Sequence, residues 1–145
     1  MLVKEIKYNS QEYQAAVNLR NKILRLPLGL VLKEEDLQRE KSDFHFAFFK
    51  GQEIIGTLIL TPLDNTTVRM RQVAVASDNQ GQGIGSKLVE FAEKFAIDHK
   101  FLKIILSARS TALNFYKKNG YQVLGDEYLG KSIKILHFEM SKDIA

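Results

Sequence analysis

Gln80-Gly81-Gln82-Gly83-Ile84-Gly85-Ser86-Lys87 places three alternating glycines between two apolar segments of different period. Upstream, Val68–Val75 is rich in β-branched residues and reads as a strand. Downstream, Ile84–Asp98 sets Ile84, Leu88, Phe91, Ala92, Phe95 and Ala96 on one helical stripe, with Lys87, Glu90, Glu93 and Lys94 opposite. A glycine loop that opens a helix offers unpaired backbone N–H groups and the positive end of the helix dipole, so its expected ligand is an anion, first of all a phosphate. Glycines at 81, 83 and 85 allow close approach and positive φ. A flexible turn needs fewer.

Spacing narrows the phosphate ligand. A dinucleotide fingerprint counted from Gly81 requires glycine at 86, where the chain has Ser86, and Ser77-Asp78-Asn79 separate the loop from its strand. A Walker A loop requires glycine before its lysine, and Lys87 follows Ser86.

The remaining segments alternate between strand and helix without a linker or repeat, which predicts one domain over residues 1–145. Residues 2–7 read as a strand and Gln11–Leu24 as a helix capped by Ser10 and stopped by Pro27 and Gly29. Leu30–Lys41, with Glu34-Glu35-Asp36, reads as a solvated loop or short helix. Phe44–Phe49, Ile54–Thr61 and Val68–Val75 form an expected antiparallel meander. Lys103–Ser107 is a short strand, Thr111–Lys118 a helix ended by Asn119-Gly120, and Tyr121–Leu124 and Ile133–Met140 closing strands. At 145 residues the chain matches a single domain of roughly 100–200 residues.

Composition removes several classes of function. With no cysteine, disulfides, thiolate-bound zinc and an acylated enzyme thiol are excluded. His45, His99 and His137 have no paired metal-ligand spacing, so no metal is expected. A net charge of +4 suits a small anion, and the scattered lysines match no nucleic-acid-binding motif. The N-terminus has no apolar signal core and no apolar run reaches the roughly 18–20 residues of a membrane span, so a cytoplasmic location away from membranes is expected.

Gln80-x-x-Gly83-x-Gly85, after the strand ending Gln72-Val73-Ala74-Val75, resembles the Q/R-x-x-G-x-G/A loop of the GNAT superfamily of acyl-CoA-dependent N-acetyltransferases. Ala108-Arg109-x-x-Ala112-x-x-Phe115-Tyr116-x-x-x-Gly120-Tyr121 is similar to a second motif of that family. Ile135-x-His137-x-x-Met140 and Arg20-x-x-Ile23-Leu24-Arg25-Leu26-Pro27-Leu28-Gly29-Leu30 look like segments of one bacterial branch. The resemblance covers most of the chain. It implies a central, mixed, mostly antiparallel α/β sheet of about seven strands with helices on both faces.

It also implies acetyl-CoA as acyl donor and direct attack on it by a primary amine, small-molecule or peptide, with no acyl-enzyme. The amides of Gln80, Gly81, Gln82, Gly83, Ile84, Gly85 and Ser86 are then expected at the pyrophosphate, and Val73, Ala74 and Val75 along the pantetheine arm. Arg109 joins this set, although many members carry an asparagine at its position. Tyr116 matches a tyrosine whose hydroxyl points at the coenzyme A sulfur, and thus a proton donor to the departing thiolate.

His137 and Glu139 alternate onto one face of the last strand, making His137 a candidate base and both residues candidates for the acceptor side. Arg71 and Gln72 lie on the strand expected to flank the acceptor, and Glu34, Glu35 and Asp36 are candidates to attract a cationic one. A catalytically silent acyl-CoA sensor on the same fold is the alternative. Of assemblies, a homodimer is the commonest for soluble proteins that associate.

Overall fold

A computed structural model describes residues 1–145, which divide into two compact units. Seven strands form a mostly antiparallel sheet in the order β1-β2-β3-β4-β5-β7-β6. They are β1 (Leu2–Ile6), β2 (Phe44–Lys50), β3 (Glu53–Pro62), β4 (Thr67–Val75), β5 (Lys103–Arg109), β6 (Gln122–Leu129) and β7 (Leu136–Asp143). The four α-helices are α1 (Gln11–Arg20), α2 (Glu34–Gln38), α3 (Ile84–Asp98) and α4 (Leu113–Lys118). None is long and apolar enough to cross a membrane.

The first unit comprises Met1–Thr61 and Met70–Lys94. Its strands β2 and β3 pair antiparallel, and Phe46, Ile55, Leu58, Ile59 and Leu60 are fully or almost fully buried, as expected of central strands covered on both faces. Ser10 caps α1, its hydroxyl oxygen accepting from Tyr13 N–H at 3.1 Å. Beyond Arg20 the expected helix continues differently, as a π-turn over Asn21–Arg25 and a 3-10 turn over Leu26–Leu28 that ends at Gly29 with φ 72°. At the other end of this unit Gly56 lets α3 close onto β3. A Cβ there would lie 2.7 Å from Leu88 Cδ1 and 3.1 Å from Ile84 Cγ2.

The acidic run Glu34-Glu35-Asp36 forms the first turn of α2, where the helix dipole favours negative charge and Asp36 Oδ2 accepts from Lys33 N–H at 3.1 Å. Behind this turn lies a buried polar network. Arg20 donates to both carboxylate oxygens of Glu40, at 2.8 and 2.5 Å, and Tyr13 donates its hydroxyl proton to Glu40 Oε1 at 2.8 Å. His45 donates from Nε2 to the Glu40 carbonyl at 2.9 Å.

The second unit comprises Pro62–Arg69 and Phe95–Ala145. β7 pairs antiparallel with β5 on one side and β6 on the other, around the buried Ile104, Leu106 and Met140. β6 is longer than expected because its outer half, Gly125–Leu129, lies exposed at the sheet edge, where no apolar alternation is needed. β7 starts at Leu136 rather than Ile133, after a turn closed by Gly130 N–H to Ile135 O at 2.9 Å.

Candidate active site

In the first unit, β4 leads through a 3-10 turn at Ser77–Asn79 into the glycine loop. Gln80 does not hold its side chain out for a ligand. Its amide donates to the Val75 carbonyl at 3.0 Å, and Gln82 reaches the Asp78 carbonyl at 3.4 Å, so both side chains brace the loop. Gly81 and Gly83 both have φ of 79°, and a Cβ on either would meet nothing within 4 Å. The protein's own packing therefore leaves their outer surface open, and the left-handed backbone is what demands glycine. Gly83 O accepts from Lys87 N–H at 3.1 Å, closing the first turn of α3. First-turn amides such as those of Ile84 and Gly85 have no acceptor within the helix. Gly85 differs from expectation in its backbone: it lies inside α3 and does not have positive φ.

Val73, Ala74 and Val75 end β4, with only Ala74 buried. Just before them, Gln72 has φ 58°, a left-handed conformation in the middle of a strand and rare for a residue with a Cβ. Its side-chain oxygen is buried without a hydrogen-bond partner. Such strain persists where the surrounding structure imposes it, commonly at a functional site. Arg71 lies 3.9 Å from the buried Asp43 carboxylate and donates to Thr61 Oγ1 at 3.5 Å. Burial raises the Asp43 pKa, partly offset by its hydrogen bond with Thr61 and by Arg71.

In the second unit, Tyr116 on α4 is 9% exposed. Its ring meets Phe115 and Tyr121 edge-on at centroid distances of 5.0 and 5.9 Å. Those contacts hold the ring, while its hydroxyl has no hydrogen-bond partner in the chain. Burial pushes the Tyr116 pKa well up, with Arg109 pulling weakly the other way. Arg109 is itself half-buried, which lowers its pKa.

The strand register sets His137 between Arg109 on β5 and Tyr128 on β6, and Glu139 opposite Ser107. His137 and Glu139 thus share a face, as their spacing predicts. The His137 Nδ1–H donates to Ile135 O at 2.7 Å, and Nε2 has no hydrogen-bond partner in the chain. Glu139 accepts from Arg69 at 2.7 Å and from the Tyr128 hydroxyl at 3.3 Å, and that hydroxyl also bonds Ser107. Arg69, Ser107 and Tyr128 were not legible as site residues, since a lone polar residue on an exposed strand carries no spacing signal.

Residues 40–123, more than half of the chain, match the acetyltransferase (GNAT) domain family, and the chain belongs to it. Members take an acetyl group from acetyl-coenzyme A, so this is an acetyltransferase. The chain is similar to the uncharacterized N-acetyltransferase YjcF of Bacillus subtilis (strain 168), 27% identical over 95% of this chain and 97% of that protein. Among solved structures, an aminoglycoside 6'-N-acetyltransferase complexed with coenzyme A aligns with a TM-score of 0.81 at 18% identity, covering 100% of this chain and 98% of that one. A GNAT family acetyltransferase from Elizabethkingia anophelis with acetyl-CoA bound aligns at 0.76 and 19%, covering 98% and 97%. These two likenesses establish the fold.

Proposed function

We propose that residues 1–145 form one N-acetyltransferase domain that moves the acetyl group of acetyl-CoA directly to a primary amine. The observation that carries this reading is the open loop at Gly81 and Gly83, with its positive φ angles and empty outer surface at the start of α3. Phosphate oxygens accept hydrogen bonds from such amides, and a helix N-terminus favours their charge. Ser86 and Arg109 complete the cofactor-binding set with Gln80 and Gln82, which act by bracing the loop or through their backbone. Val73, Ala74 and Val75 pair with the pantetheine arm, their backbone N–H groups providing the donors for the developing oxyanion.

His137 takes a proton from the acceptor amine through Nε2, and Glu139, Arg71 and Gln72 line the acceptor side. The amine nitrogen forms a bond to the acetyl carbon, the carbon–sulfur bond breaks, and Tyr116 gives its phenolic proton to the sulfur. The products are an acetamide and free coenzyme A. An aminoglycoside is the acceptor named for one structural relative, which supports a small amine substrate here. The silent-sensor alternative gains nothing from relatives that are named as transferases.

Two measurements test the reading. Millimolar coenzyme A is expected to raise the melting temperature, by an amount set by ligand concentration over dissociation constant. Acetyl-CoA with a panel of aminoglycosides, polyamines, amino acids and peptides is expected to release free thiol only when a suitable amine is present. No thermal shift removes the cofactor assignment. A shift without thiol release from any amine favours the sensor.

A further inference from the structure

His137 is held more elaborately than its own hydrogen bond requires. Gly130 has an ordinary backbone φ, so no conformational need selects glycine there. A Cβ at Gly130 would instead lie 2.8 Å from His137 Cε1, 2.9 Å from Nδ1 and 2.2 Å from the Ile133 carbonyl oxygen. The space of the missing side chain is shared by the Ile133 carbonyl, which comes nearest, and the imidazole of His137. On another side the ring of Tyr128 stacks on it, with centroids 5.8 Å apart and planes at 22°. Tyr128 is held in turn by Ser107 and Glu139, and Glu139 by Arg69. The Ile135 carbonyl, which can only accept, fixes the proton on Nδ1.

We infer that Gly130 and Tyr128 are positioning residues that seat His137 in the Nδ1–H form, presenting the lone pair of Nε2 to the amine acceptor. Its catalytic consequence rests on the reading of His137 as base; the seat itself does not. A neutral imidazole with a fixed tautomer is a base in one direction only, and small misplacements of a reacting group are costly.

The test compares Tyr128→Leu, Tyr128→Phe and Gly130→Ala in the full chain. Nitrogen-15 NMR of the histidine side chains at neutral pH is expected to show His137 protonated on Nδ1 in the wild type and Tyr128→Phe, with mixed tautomers in Tyr128→Leu and Gly130→Ala. Tyr128→Leu is expected to lower kcat by about 10- to 100-fold with the KM for acetyl-CoA unchanged. Tyr128→Phe keeps the ring and should stay within about threefold of wild type on the same grounds. In a His137→Ala background, Tyr128→Leu should have no further effect, as for residues that act as a unit. An unchanged tautomer in both disruptive variants overturns the seat, and if Gly130→Ala does not fold, Tyr128→Leu decides alone. Additive effects on kcat overturn the claim that Tyr128 acts through His137. Wild-type turnover by His137→Ala removes the base reading, while the NMR result still decides the seat.

Discussion

Arg20 and Glu40 form a two-point ion pair at 2.8 and 2.5 Å, with side chains only 1% and 2% exposed, joining the end of α1 to the chain leaving α2. Removal of one partner from a buried pair strands the other charge away from water. Glu40→Ala is therefore expected to lose about 3–5 kcal/mol of folding stability. Tyr13→Phe removes one hydrogen bond to the same carboxylate and should lose about 1.5–3 kcal/mol. Urea denaturation measures both. A Glu40→Ala loss under about 1 kcal/mol would mean that water reaches Arg20 after all.

His45 makes stability depend on pH in a stated direction. Burial lowers its pKa below the ordinary 6.5, with smaller opposing contributions from Glu40 and Asp43. The unfolded chain then binds the proton at a higher pH than the folded protein. Stability from this group is fully present above pH 6.5 and declines as pH falls from there through the lowered value. Asp43 acts oppositely, because its raised pKa lets the folded protein bind a proton before the unfolded chain does, and it blunts the decline as pH approaches 3.8. Urea midpoints from pH 8 downward should fall below about 6.5, and His45→Asn should flatten that slope. An unchanged slope in the variant would assign it to another group.

The glycine loop and α3 were legible because local spacing specifies both: alternating glycines, then a helical stripe. Ser10 was legible as a cap for the same reason. The Arg20–Glu40 pair was not, since 20 residues separate its members and each alone looks like a surface charge. The left-handed backbone of Gln72 could not be anticipated either, because a residue with a Cβ in a strand gives no sign of it. Tyr128 lies on the exposed outer half of β6, where the sequence has no reason to alternate. The acidic run at 34–36 suggested a cationic acceptor, yet its position in the first turn of α2 accounts for it.

Two glycine substitutions separate binding from packing. Gly83→Ala meets no neighbour, but its φ of 79° should cost about 1–2 kcal/mol of stability, and the added methyl faces the surface assigned to phosphate. Coenzyme A affinity should fall with it. Gly56→Ala meets Leu88 at 2.7 Å and should cost about 1–3 kcal/mol through overpacking, with a smaller change in coenzyme A affinity. Thermal melts and calorimetric titration distinguish the pair. Equal affinities for coenzyme A in Gly83→Ala and wild type would move the phosphates elsewhere.

Tyr116 combines a ring fixed by Phe115 and Tyr121 with a hydroxyl that no residue engages, so Tyr116→Phe isolates the hydroxyl. Fold and coenzyme A affinity should be nearly unchanged. Burial raises the Tyr116 pKa above its ordinary 10.0, so the phenol keeps its proton throughout a neutral assay and has one to give. The same shift stabilises the folded protein below pH 10, and that contribution is lost as pH rises toward the raised value. Tyr116→Phe should accordingly lose less stability than wild type in strong alkali. Positioned acid catalysis is worth about 10²–10⁴-fold, and a thiolate already leaves well, so the rate loss should lie near the lower end. The deficit should shrink further with acyl donors whose thiol is more acidic, because their leaving group needs less protonation. Wild-type turnover by Tyr116→Phe, with chemistry shown to be rate-limiting, would make Tyr116 a packing residue and leave the thiolate to take its proton from water.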